Sequence, residues 1–202
     1  MKRRTHLRTA RRTSRRATAA VALLLVLGSA ACTAAEHRLD VRDGVADADA
    51  APASTGLSAA DGLLPGGDPV SPFDEDLPAI ARIKPDLLAA VQAAATAADA
   101  AGIEMVVTSG WRSAQFQQSL LDDAVQKYGS ADEAARWVKS PSASSHVSGD
   151  AVDIGFTDAA DWLTRHGEDF GLCQTYANEM WHFELATEPG GTCPEPLTDA
   201  AG

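Results

Sequence analysis

From residue 33 to residue 72 the chain is dominated by Ala, Asp, Gly, Ser and Pro and holds few large apolar side chains. A segment of that composition buries too little apolar surface to offset its conformational entropy, so residues 32–72 read as a disordered acidic linker. Residues 1–31 are assigned to export below, which leaves residues 73–202 of the 202-residue chain to fold. A domain of that size removes about two-thirds of its unfolded surface from water, enough for one real core. The chain shows no internal repeat and no heptad run.

The formal net charge of −11 averages two opposite segments. Residues 1–31 carry eight of the 17 Lys and Arg and no acid, which leaves nine bases against all 28 acids, a net of −19. A surface that acidic repels phosphate backbones and excludes nucleic acid as a partner. The Arg-rich start runs into the apolar stretch Ala19 to Leu27, then Gly28, Ser29, Ala30, Ala31 and Cys32, the three-part layout of an export signal. The apolar stretch falls short of the ~20 residues that span a bilayer. Cys32 stands where a bacterial lipoprotein signal puts its lipidated cysteine; plain cleavage after Ala31 or Ala35 is the alternative. Membrane contact is expected only through that anchor, on a monomer at the cell envelope. Without Cys32, three cysteines become the pair Cys173 and Cys193, an expected disulfide in an oxidising compartment.

Within the domain, Pro85 opens a helix whose Leu87, Leu88, Val91, Ala94, Ala95 and Ala98 share one face, and Gly102 closes it. Ile103 to Thr108 reads as a strand. Ser113 caps a second helix with Phe116, Leu120, Leu121 and Val125 inward and Gly129 as its stop. Ser130 and Glu133 form a capping-box pattern for a short third helix. Ala151 to Phe156 alternates as a half-buried strand, Asp158 to Phe170 is helical, and Trp181 to Leu185 is a last strand. Strands and helices in this uneven order indicate a compact α+β fold, not a doubly wound sheet.

The sequence lacks a Gly-rich phosphate loop, a Gly-x-Ser-x-Gly elbow and a helical His-Glu-x-x-His motif. What remains is a set of His146, Asp153, Glu179 and His182. Two histidines and a carboxylate commonly hold a catalytic zinc and leave one position for water, and a separate carboxylate then takes the water's proton. His6 and His37 fall outside the domain, and His166 reads as a surface or capping residue. The four tryptophans read as packing, with Trp111 also a candidate cleft floor. Glu179 and His182 are three apart, so both reach one site only if residues 179–180 form a turn entering the strand.

Ser144-x-His146-x-x-Gly149-x-Ala151-x-Asp153 and Glu179-x-Trp181-His182 resemble the two signature motifs of zinc D-alanyl-D-alanine carboxypeptidases of the VanY type. Ser109-Gly110-Trp111-Arg112-Ser113, with Gln117 following, resembles that family's third motif. The resemblance covers roughly residues 85–186 and implies a small antiparallel sheet holding a zinc site, flanked by helices, as in lysostaphin-like peptidases and the hedgehog domain. It implies Zn2+ as cofactor, His146, Asp153 and His182 as its ligands, Glu179 as general base, and Arg112 as oxyanion stabiliser. Ser144 and Gln117 would contact the substrate, a peptidoglycan stem peptide. The sequence departs from the family pattern at Met180, usually Pro, and at Glu184, often basic. Other wall specificities (an L,D-carboxypeptidase, a D,D-dipeptidase or an endopeptidase) and a zinc-stabilised binding module without turnover stay open.

Overall fold

The computed structural model describes residues 56–202; the expected export signal, Cys32 and the first part of the linker lie outside the described residues. Residues 56–72 belong to the span expected as linker, yet they pack on the domain. Asp61 accepts hydrogen bonds from the Ser113 N–H and hydroxyl at 2.8 and 2.9 Å. Val70 exchanges backbone bonds of 2.8 and 3.0 Å with Val107, and Pro72 is fully buried. Ordered structure therefore starts upstream of residue 73.

The elements follow as α1 (Pro78–Ala81), α2 (Pro85–Ala100), β1 (Val106–Ser109), α3 (Ala114–Tyr128), α4 (Ala131–Ala135), α5 (Ser145–Ser148), β2 (Ala151–Gly155), α6 (Thr157–His166), β3 (Leu172–Gln174) and β4 (His182–Leu185). The caps act as the sequence indicates. Pro85 begins α2, and the Ser113 and Ser130 hydroxyls accept the N–H groups of Phe116 and Glu133, each at 3.1 Å. Gly129 ends α3 in the left-handed region. The helix expected over Asp158 to Phe170 is α6 followed by a tight 3-10 turn at Gly167–Phe170. Among the described residues no helix is long and apolar enough to cross a membrane.

The strands form one antiparallel sheet in the order β1-β2-β4-β3, and the α+β architecture matches the expectation. Val107, Val152, Ile154, Phe183 and Leu172 join the buried face of α2 and Ala159, Ala160 and Leu163 of α6 in a continuous core. Side chains alternate along a strand, so Asp153, His182 and Glu184 point away from that core. The alternation in β2 does not mark a half-exposed strand: all five of its residues are buried, because the second face is covered as well. The apolar face read into α3 is only half-buried; Gln117 and Ala124 are its buried residues, and Leu120 and Ala124 line a cleft.

Candidate metal centre and active-site cleft

Register builds the centre. Asp153 of β2 pairs directly with His182 of β4, which sets both side chains on the face opposite the core. A β-bulge between Val107 and Ser109 of β1 lies beside Asp153. The one-turn helix α5 supplies His146 and ends at Gly149, whose φ of +79° favours glycine. A Cβ there would stand 2.6 Å from the Arg82 carbonyl oxygen, so the turn that returns the chain into β2 leaves no room for a side chain.

His146 Nδ1 lies 2.8 Å from the Gly110 carbonyl oxygen. A carbonyl only accepts, so Nδ1 carries the proton and Nε2 presents its lone pair. That Nε2 is 3.3 Å from both Asp153 Oδ1 and His182 Nδ1, and His182 Nδ1 is 3.2 Å from the same Oδ1. The ligating atoms of His146, Asp153 and His182 all lie within 4.8 Å of one another, and the three residues are buried. The far nitrogen of His182, Nε2, meets Glu184 Oε1 at 2.9 Å, and Ser145 Oγ donates to that oxygen at 2.7 Å. Two imidazoles oriented through their second nitrogens, with one carboxylate, are a donor set that fits a divalent ion.

The turn demanded by the Glu179–His182 spacing is present. The Glu179 N–H donates to the Tyr176 carbonyl and the His182 N–H to the Glu179 carbonyl, each at 3.2 Å. Glu179 Oε2 then stands 3.9 Å from His182 Nδ1, while its buried Oε1 has no protein hydrogen-bond partner. The Cys173–Cys193 disulfide is formed, with the Cα atoms 5.6 Å apart. Downstream of it, Leu197 bonds Thr175 and Ala177 at 2.9 and 2.8 Å, bracing the Glu179 turn from outside.

Arg112 enters from the β1–α3 connection with each guanidinium nitrogen making one hydrogen bond. Nε donates to Ser109 Oγ at 2.8 Å, Nη1 to Gln117 Oε1 at 3.1 Å and Nη2 to Asp153 Oδ2 at 2.8 Å. Gln117, expected to touch substrate, is 1% exposed and donates its amide to the Lys139 carbonyl at 2.9 Å. Both ends of its side chain are used inside the protein, so it positions Arg112. Ser144 lines the cleft beside His146.

Residues 81–189, just over half of the chain, match the family model described as VanY, D-alanyl-D-alanine carboxypeptidase. This chain belongs to the VanY family. A D-alanyl-D-alanine carboxypeptidase of Enterococcus faecalis (strain ATCC 700802 / V583) is 31% identical over 112 residues, 43% of this chain and 42% of that protein. The match thus spans less than half of that relative's length. Among solved structures, a mutant of the vancomycin-resistance D,D-pentapeptidase VanY from a VanB-type resistance cassette, in complex with Zn(II), aligns with a TM-score of 0.46 and 27% identity over 51% of this chain and 70% of that one. The LdcB LD-carboxypeptidase aligns with a TM-score of 0.46 and 28% identity over 52% and 66%.

The charges of this VanY-family site are set by burial and pairing. Burial favours a neutral Asp153, but His146, His182 and Arg112 together hold it well below the usual carboxylate range. Burial opposes a charged His182, yet hydrogen bonds to Asp153 and Glu184 push it up to about 9, the mark of a position suited to positive charge. Burial lowers His146. Burial raises Glu179 to about 7 against the pull of His182, with Asp153 adding to the rise. A carboxylate there is poised to take and return a proton near neutral pH.

The cleft over these groups has a volume of about 520 Å3 and runs along α3 to Tyr128 and Trp137. Two tryptophans depart from the packing role. Trp137 stacks on Tyr128 with ring centroids 5.8 Å apart, and it and Trp181 line the cleft while 37% and 40% exposed. Trp111 instead lies under Arg82, 4.3 Å away, and donates to the Val147 carbonyl at 3.1 Å. His166 packs against Trp162 with ring centroids 4.6 Å apart and planes tilted by 31°, apart from the centre. Sequence reasoning missed the partner role of Glu184. Its signal is a two-residue step from His182, which places both on one face of a strand.

Proposed function

We propose that this protein is a zinc-dependent D-alanyl-D-alanine carboxypeptidase that trims peptidoglycan stem peptides outside the cytoplasm. The observation that carries the reading is Glu179, with one buried oxygen unpartnered and the other 3.9 Å from His182 of a buried His-Asp-His set. A purely structural ion site needs no such carboxylate. The description of the Enterococcus relative as a D-alanyl-D-alanine carboxypeptidase supports the same activity.

In this reading His146 Nε2, Asp153 Oδ1 and His182 Nδ1 hold zinc. Bound there, zinc supplies Lewis acidity toward the scissile carbonyl and lowers the pKa of water. Glu179 accepts the proton of the attacking water and returns one to the leaving amine. Arg112, locked by Ser109, Gln117 and Asp153, supplies fixed positive charge for the developing oxyanion, worth ~3 kcal/mol in comparable sites. Ser144 contacts the peptide from the cleft wall. Residues 1–31 direct export, Cys32 carries a lipid anchor, and the acidic residues after it tether a monomeric domain at the outer face of the membrane.

The test is product analysis on a defined stem pentapeptide ending in D-Ala-D-Ala, with and without chelator. Release of one D-alanine, stopped by chelator and restored by zinc, is the expected result. Cleavage only of a tetrapeptide, of free D-Ala-D-Ala or of a cross-bridge reassigns the specificity. Binding without any cleavage makes the domain a wall-binding module. Mass spectrometry of the membrane fraction tests the anchor; an unmodified N-terminus after Ala31 or Ala35 removes it.

A further inference from the structure

A peptidase that removes a terminal residue must accept a free α-carboxylate, and the surroundings of His182 are strongly acidic. Asp153, Glu179 and Glu184 all lie within 4 Å of its ring nitrogens. Arg112 is paired with Asp153 at 2.8 Å, and its remaining N–H groups are assigned above to the oxyanion, so the terminal carboxylate needs another cation.

Lys139 is differently placed. It is half-buried on the wall of the same cleft as Glu179 and His182. Its Nζ stands 5.1 Å from the centroid of the Tyr176 ring, and that ring is 4.9 Å from the His182 ring. An aromatic face steadies an ammonium without neutralising it. Two of the three carboxylates beside the centre are paired elsewhere, Asp153 with Arg112 and Glu184 with His182, and the third, Glu179, stands 3.9 Å from His182. Among the described residues Lys139 makes no ion pair, although its charge is felt by both Glu179 and Glu184. The Lys139 carbonyl is held by Gln117, the residue that also fixes Arg112, so the backbone carrying this lysine is tied to the Arg112 network. Lys139 and Tyr176 also line a second hollow of about 660 Å3, so they form part of the partition between it and the reaction cleft.

We propose that Lys139 Nζ, backed by Tyr176, is the subsite for the free C-terminal carboxylate of the substrate, and that it makes the cleft select the end of a peptide over an internal bond. The proposal rests on the peptidase reading and specifies its substrate class. A partition that carries an unneutralised cation close to the proposed general base suits a chain end better than a continuing backbone.

The experiment uses the zinc-loaded full chain and one peptide ending in D-Ala-D-Ala, prepared both as the free acid and as the C-terminal amide. Calorimetric binding is measured in a Glu179→Ala background, with and without Lys139→Met or Lys139→Arg, and turnover is measured with Glu179 present. The free acid is expected to bind about 10- to 100-fold more tightly than the amide, the range of a hydrogen bond to a charged group. Lys139→Met removes that preference by weakening the acid alone, and Lys139→Arg keeps most of it. Equal weakening of acid and amide by Lys139→Met, no preference with Lys139 in place, or binding of neither peptide overturns the subsite. Cleavage of acid and amide alike overturns the subsite but leaves the peptidase reading standing. Lys139-dependent binding of the acid without cleavage does the reverse.

Discussion

The two faces of strands β2 and β4 carry opposite chemistry on the same backbone. One face presents Val152, Ile154 and Phe183, each at most 2% exposed, to the helices α2 and α6. The other presents Asp153, His182 and Glu184, of which Asp153 and His182 are also buried. Apolar burial stabilises the first face directly, whereas buried charge on the second is tolerable only because each group is paired. Asp153 shows the pattern, with one oxygen toward the histidines and the other on Arg112. The core face therefore supplies stability, and the site face spends some of it on a fixed arrangement of charge.

Truncating the core face should give the largest change in stability. Phe183→Ala is expected to lose about 3–5 kcal/mol in chemical denaturation, as deletions of buried aromatic side chains do. The fraction that remains folded should still take up zinc. Reduction of Cys173–Cys193, whose partners are 20 positions apart, should cost about 3 kcal/mol. Because the segment after Cys193 braces the Glu179 turn, hydrogen exchange after reduction should rise over residues 175–182 before it rises in α2. Glu184→Ala acts on the site face alone. It removes the acceptor on His182 Nε2 and should weaken zinc about 10- to 100-fold in chelator competition while leaving the fold intact. A larger effect on unfolding than on zinc affinity would erase the distinction between the faces.

The smallest effect is a pH dependence of the zinc-free protein. Glu179 has its pKa raised from the ordinary 4.5 to about 7 by burial. Between those values the folded protein keeps the proton that the unfolded chain releases, so this group makes stability fall as pH rises through that window. Glu179→Gln should flatten the fall, and the zinc-free variant should be the more stable protein at pH 8. Thermal unfolding at pH 5 and pH 8 measures both.

The core strands and helices were readable because their signals are local. Pro85, Ser113 and Gly129 punctuate helices, and the ligand spacing in β2 and β4 lies in the residues themselves. The elements that escaped are short and held by tertiary contacts. Helix α5 is a single turn shaped by the close approach of Gly149 to Arg82, and β3 has three residues that depend on β4 for pairing. The anchors of residues 56–72 are backbone bonds and one carboxylate, which composition does not reveal. The apolar side chains of α3 gave the expected helix but the wrong neighbour, since Leu120 borders the cleft instead of the core. At the centre the residues were legible, while the work of Glu184 and Gln117 required knowing which atoms face each other.

The most direct test is zinc content and turnover measured together for Glu179→Ala and His182→Ala, against release of terminal D-alanine. Glu179→Ala should keep about one zinc per chain and lose about 100- to 10,000-fold in turnover, since it removes proton transfer and no ligand. His182→Ala should lose zinc and activity together. A Glu179→Ala protein that cleaves as fast as the unaltered chain, or one that loses its zinc, would contradict the assignment of a three-ligand centre with a separate proton shuttle.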